Sequence, residues 1–496
     1  MRSRLLPLAL LWLSACRAPT SAPPAQALPA PVQGVWVNSA QTTPGDGSRE
    51  RPFRTLAEAL AVRPLPTVYV ASGVYAGPVR LPPGGHLVGE GPGTVLRGEG
   101  QAPVVRAEGG GTLVRMTLQG GAWGVETWGA LRLEAVAFRG QQEGAVGVRA
   151  GRLVVQGARF ETHLQEAVGI AVEGASAAEV RGSTFTGSWR RGVHVRGGGE
   201  VLLEDVRFSG AEMGLDQEGG RSRLLRVTVE GGRGPGLLVR GGAIDIEAGK
   251  VSGHEYGLAA QGASLEVRDF TSVRAQRAGM GLTRTTGRLR DIQVRESGSF
   301  GALQLVDSDL ELRGFRIEDV DAYGVVATRG HLRASKGSIA RVRSSDGFTG
   351  EGLHLRGAKA QVEGLEVRDA KGAGVLAAQG AEVEVRDARF SGCKQAGLLV
   401  ESLSALQATG IEIQETEGPA LAVLRDGKLQ AEALTASGLA EGLVWAECGG
   451  ATRVRLGLVR STDLRGLEAP CVERVSTPSV SGPAPGAGAA PRVLPR

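Results

Sequence analysis

"GVHVRGGGEVLLEDVRFSG" runs from Gly192 to Gly210, and "GVLAAQGAEVEVRDARFSG", from Gly374 to Gly392, repeats its plan. Each phrase opens on a glycine and a small apolar pair and passes a glycine-rich turn. It then alternates through a strand-like run, turns at a charged corner and closes on an aromatic. Glycines that open the phrase stand at Gly124, Gly147, Gly169, Gly192, Gly214, Gly236, Gly257, Gly281, Gly301, Gly324, Gly352, Gly374, Gly397, Gly418 and Gly442. Fifteen anchors at a mean spacing of about 23 residues are the mark of a solenoid.

Inside each unit, "EVLLEDVRF" and "LEVRDFTSV" alternate or run apolar in short bursts, and no segment after residue 61 carries a helix-length 3.6 period. Each unit is therefore several short strands joined at Gly and Asp, the rung of a parallel β-helix. Rungs stack about 4.8 Å apart, so equivalent residues form ladders along the axis. One ladder is legible: Phe138, Phe160, Phe185, Phe208, Val229, Val251, Val294, Ile317, Ile339, Val367, Phe390 and Ile413. Asp205, Asp269, Asp291 and Asp387 mark turns, where Asp bonds its own backbone. The leucine-rich repeat shares this period, but it needs an asparagine ladder and Asn38 is the sole asparagine. The expectation is an all-β solenoid of 15–17 coils.

The 496 residues include 77 glycines and only 4% aromatics, yet 42% hydrophobic residues, which argues against disorder throughout. The net charge of +5 is small, and Arg alternates with Glu without a basic block, so nucleic acid is not an expected partner.

The opening "MRSRLLPLALLWLSAC" has a basic start and an apolar stretch too short to span a bilayer, which points to a signal peptide over 1–15. Leu13-Ser14-Ala15-Cys16 resembles the lipobox of bacterial lipoproteins. The resemblance implies cleavage before Cys16, its acylation, and membrane attachment through that lipid. Arg17 rather than Asp follows, which in that class favours the outer membrane over retention at the inner one. Residues 16–33 are then a lipidated Cys and Pro/Ala-rich tether, and 476–496 read as a disordered tail.

"DGSRERPFRTLAEALA" (Asp46–Ala61) followed by "TVYVASGVYAGPVRLPPGGHLVGEGPGTVL" (Thr67–Leu96) resembles the cap and first coil of the pectate-lyase-like superfamily of right-handed β-helices. That assigns a helical cap to 34–65, the β-helix to 66–475 and a right-handed coil. A cap is needed because an open end exposes core and strand edge.

Enzymes of that superfamily are mainly polysaccharide lyases and glycoside hydrolases, but the sequence lacks their N-T-D, D-D, G-H-G and R-I-K motifs. The best carboxylate group is Asp307, Asp309, Asp319 and Asp321, the last two alternating on one strand face. His194 and His354 share a slot seven rungs apart and cannot meet; His254 and His331 are scattered. No zinc spacing or nucleotide motif is present, so no metal or cofactor is expected. Turns before the anchor glycines carry Trp123, Trp189, Tyr256, Phe300, Tyr323 and Phe348, the last in an insertion around "SSDGFTG" (344–350). Insertions in solenoids gather on the binding face. The expectation is a monomeric, non-enzymatic cell-envelope lipoprotein. It would bind a polysaccharide or an envelope protein through Trp189, Tyr256, Phe300, Tyr323 and Phe348. The alternative is a lyase or hydrolase on Asp319 and Asp321. Cys448 and Cys471, one coil apart, are expected to form a disulfide between equivalent slots, leaving Cys393 a buried thiol.

Overall fold

One coil can be followed through the opening phrase. Arg191–Arg196 is a strand of one wall, sheet C; Glu200–Glu204 belongs to sheet A; Arg207–Ser209 belongs to sheet B. Val375–Ala378, Glu382–Arg386 and Arg389–Ser391 repeat the circuit. Each strand pairs in parallel with its counterparts one coil before and one coil after. The computed structural model describes residues 34–475, so Cys16, the signal peptide, the tether and the tail lie outside the described residues. Sheet A runs from Val35–Val37 to Val472–Arg474. The result is a right-handed parallel β-solenoid of about 19 turns. That exceeds the 15–17 expected because the coils before Gly124 carry no anchor glycine and leave no phrase to count.

The ladder holds in register. Phe138, Phe160, Phe185 and Phe208 are successive partners in sheet B, with ring centroids 4.9, 4.2 and 4.6 Å apart, and all four are fully buried. The stack follows the strand spacing, so each ring covers the next. Ser272 fills the rung between Val251 and Val294. The corner aspartates have left-handed backbone, with φ between 50° and 55° at Asp205, Asp269, Asp291 and Asp387. Asp tolerates that region better than most residues.

The anchor glycine has a steric cause. A Cβ built on Gly192 would land in the ring of Phe208, and one on Gly374 in the ring of Phe390. The same clash recurs at Gly169 with Phe185 and at Gly352 with Val367. The glycine of sheet C thus clears space for the ladder residue of sheet B across the core, which is why the two ends of the phrase travel together. Ten of the fifteen anchors occupy this slot. Gly147, Gly281, Gly301, Gly418 and Gly442 are displaced by one or two residues, and Ala145, Gly279, Ala302, Ala420 and Leu443 fill it instead.

The cap is the helix Leu56–Ala61. Thr55 caps it, with Glu58 closing the reciprocal capping box, and Leu56, Ala59 and Leu60 are buried. Val35–Val37 pairs with Val68–Val70, so sheet A already begins within the segment assigned to the cap. At the far end the sulfurs of Cys448 and Cys471 are joined, with Cα atoms 5.4 Å apart. Their slots are not equivalent, contrary to the expectation from the one-coil spacing. Val472 pairs with Val454, which puts Cys471 level with Arg453, while Cys448 lies in the preceding turn. Cys393 is a buried free thiol whose pKa burial pushes up to about 12.

Candidate functional site

A shallow axial trough of 1360 Å³ lies on the outside of sheet A, from the coil of Arg221 to that of Ala405. Strand alternation sends two rows of side chains into it. One row is Arg223, Asp245, Glu266, Arg288, Glu311, Arg333, Gln361, Glu384 and Gln407, each the register partner of the next. The other row includes Asp309, His331, Lys359 and Glu382. Arg288 lies 3.4 Å from Glu311 and Lys359 2.9 Å from Glu382 along the axis, and His331 Nδ1 lies 2.7 Å from Asp309. Such exposed pairs are worth about 0–1 kcal/mol each, so they can exchange partners with a ligand at small cost. Sequence reasoning named Asp309 and His331 but not the trough, because one polar residue per strand reads as an ordinary solvated face.

The aromatic turns divide. Trp189 is wholly buried, edge-on to Phe185 with centroids 6.5 Å apart. Its turn folds inward and makes it core, which removes it from the expected binding set. Tyr256, Phe300 and Tyr323 are half-buried along one edge of sheet C, and Phe348 stands out at 82% exposure. Tyr256 and Tyr323 share a ladder three rungs apart; counting back from Leu303 and Val325, Gly301 rather than Phe300 completes it. Arg277 lies 5.6 Å from the Tyr256 ring and 4.4 Å from the Phe300 ring, and Arg356 lies 5.4 Å from that of Tyr323. Guanidinium groups therefore already occupy ring faces that a sugar would need. Burial raises the pKa of both tyrosines.

Beside Tyr323 the structure assembles a polar group that the sequence did not single out. Arg356 donates from Nε to His354 Nε2 at 3.0 Å and from Nη2 to the Tyr323 hydroxyl at 2.8 Å. An arginine cannot accept, so His354 Nε2 is unprotonated and Nδ1 carries the hydrogen. Nδ1 faces the Glu351 carboxylate at 3.7 Å and has no hydrogen-bond partner. Both side chains are nearly sealed, at 9% and 4% exposure. The insertion 344–350 delivers Glu351 to this place. Asp346 ties the loop down by accepting from Thr349 and Phe348, which holds its carboxyl well below the usual range. Glu351 and Arg356 pass in the sequence for two more surface charges.

His194 stands seven rungs from His354, as the repeat requires, and meets Asp216 and Glu218 instead. Their ligand atoms lie within 4.8 Å of one another. Asp216 is sealed at 1% exposure, but Arg191 and Arg240 each hold it at 2.6 Å. Two guanidiniums satisfy that carboxylate and oppose a cation, so the group fits an ion-pair knot better than a metal site. Asp319 is held by both nitrogens of the Arg341 fork at 2.7 and 2.8 Å, and Asp321 by Arg343 at 2.7 Å. The bond from Arg341 keeps the Asp319 carboxyl below its ordinary pKa, the opposite of what a general acid needs. Asp319 also sits on a left-handed corner, φ 57°, rather than in regular alternation with Asp321.

A family model described as "Protein of unknown function (DUF1565)" matches residues 39–228. No curated protein matches the chain. Among solved structures, the periplasmic alginate epimerase AlgG is 10% identical, with 73% of this chain and 78% of that one covered and a TM-score of 0.29. A GH87 α-1,3-glucanase from Streptomyces thermodiastaticus is 12% identical over 91% and 69%, TM-score 0.29. PfbA, a surface adhesin of Streptococcus pneumoniae, is 12% identical over 76% and 83%, TM-score 0.21. The fold rests on the chain's own strand register rather than on these superpositions.

Proposed function

We propose that this chain is a rigid, non-catalytic scaffold that binds an extended glycan in the axial trough of sheet A. The supporting observation is the trough itself, which repeats a polar side chain once per coil from Arg223 to Gln407. A step of about 4.8 Å is close to the length of one sugar residue, so a polymer can meet one polar side chain per coil, cation, carboxylate or amide, in succession. The solenoid is already ordered, so little entropy is lost on binding. The lipobox supports a place in the cell envelope, attached through Cys16, with the outer membrane favoured by Arg17. The test is glycan-array binding by the full chain, followed by Arg223→Ala/Arg288→Ala/Arg333→Ala and, separately, Tyr256→Ala/Phe300→Ala/Tyr323→Ala. Loss on the trough variant with retention on the edge variant supports the trough; the reverse result moves the glycan to the aromatic edge.

The alternative reading, a lyase or hydrolase, finds its support in a side-chain group other than Asp319 and Asp321. His354, with an unpartnered Nδ1 and Glu351 beside it, is the better acid–base candidate among the described residues. Reducing-sugar or unsaturated product released by the wild type and abolished in His354→Gln is the outcome that reading requires.

A further inference from the structure

A second cavity, of 670 Å³, lies between the capping helix and the first coil. Its volume falls in the range of roughly 300–1,000 Å³ typical of small-molecule sites. Its wall is apolar: Leu56 and Leu60 on the helix face Val74, Tyr75 and Val79 across it. Its rim carries Arg54, Arg63 and Arg80, and neither Asp nor Glu lines it. Elsewhere on this surface arginines commonly meet a carboxylate one coil away, as Arg226 meets Asp205 and Arg341 meets Asp319. Among the described residues no ion pair engages the three rim arginines. Arg63 donates to the Leu60 and Val62 carbonyls at 2.7 and 2.8 Å, which fixes its head at the end of the helix. Glu58, the helix's own acid, is turned back onto Thr55; it makes no ion pair with Arg54, although the Arg54 charge reaches it. Val74 stays 49% exposed within this wall, an uncovered apolar side chain beneath a cationic rim.

We infer that this cap pocket binds a single-chain anionic amphiphile, an alkyl chain bearing a carboxylate or phosphate head. The alkyl chain would cover the Leu56–Val74 wall, and the head would take the free edges of the guanidiniums, which suit planar oxyanions. Charge argues against the chain's own segment 17–33 as occupant, since it contains no Asp or Glu to meet three arginines. The site is separate from the trough and does not depend on it.

The test is isothermal titration of the full chain carrying Cys16→Ser, so that no covalent lipid competes. Dodecanoate, dodecyl phosphate, dodecanol and dodecyltrimethylammonium share one tail and differ in head; acetate and inorganic phosphate supply heads without tails. One site per chain is expected for dodecanoate or dodecyl phosphate, and the tighter of the two tells a fatty-acid source from a phospholipid-like one. Dodecanol should bind at least about tenfold more weakly, and the ammonium and tail-less ions should not saturate. Arg54→Gln/Arg80→Gln should weaken the anionic amphiphiles about tenfold without moving the melting temperature, because both side chains are exposed. Ala57→Trp, an exposed position on the wall, should block the pocket. Equal binding of all four heads, unchanged affinity in the arginine variant, or no saturable binding at all would overturn the proposal.

Discussion

At the scale of residues, the glycine of sheet C and the aromatic of sheet B are one unit of packing. Gly192→Val should force the Phe208 ring aside and cost about 1–3 kcal/mol, and Phe208→Ala about 3–5 kcal/mol. Combined, the two should cost less than their sum, because the valine fills part of the space the ring vacates. Denaturant melts of the four proteins measure this; strict additivity would separate the two positions. Ala145, in the coil of Phe160, is the largest residue in the slot that Gly124, Gly169, Gly192 and Gly374 fill opposite the other rings. His254 gives a pH dependence. It is buried, donates from Nδ1 to the Gly234 carbonyl at 3.1 Å, and leaves Nε2 without a partner. Desolvation lowers its pKa in the folded state. The unfolded chain therefore takes up its proton first, near pH 6.5, and stability falls as the pH drops from there towards the lowered folded value. His254→Phe should flatten that part of the stability–pH curve. A residual slope should remain from His194, also lowered by burial. An unchanged slope in the variant would remove His254 from the account.

At the scale of elements, the strands, the apolar ladder and the corner aspartates were legible because each repeats at the coil period with a steric or conformational cause. What escaped the sequence depends on which way a turn tilts. Trp189 and Tyr256 occupy similar turns, yet one is core and the other lies at the edge. Glu351, His354 and Arg356 sit on one strand, but only the insertion loop explains why the Glu351 and His354 side chains are sealed. The Asp216 knot was invisible for a different reason: its partners Arg191 and Arg240 are one coil to either side, each an unremarkable arginine. Asp216→Ala should cost about 3–5 kcal/mol, since it strips the sealed charge from two guanidiniums that bind it. A thermal shift no larger than that of Asp321→Ala, whose pair is exposed, would contradict this. The Cys448–Cys471 link closes a loop of 23 residues at the last coil. Cys448→Ser/Cys471→Ser should raise hydrogen exchange over 444–475 and leave the earlier coils protected, because each coil touches only its neighbours. Thiol mass spectrometry on the wild type should find one free cysteine among the three in the described residues, Cys393.

At the scale of the whole molecule, a stack of about 19 turns offers something no single coil does: a continuous surface on which a polar side chain recurs once per coil at a fixed step. The trough spans nine coils, eight steps of about 4.8 Å or about 38 Å in all. The sequence could announce the solenoid because a repeat is a property of sequence. It could not announce the trough, because the recess is made by strands of nine successive coils together and by no single repeat. The measurement that tests the central claim most directly is the affinity of a length series of the glycan identified on the array, titrated against the full chain. Binding should tighten with each added sugar until the oligomer reaches about 38 Å and then level off. A disaccharide that binds as tightly as the longest oligomer would place recognition in a single pocket and contradict an axial trough.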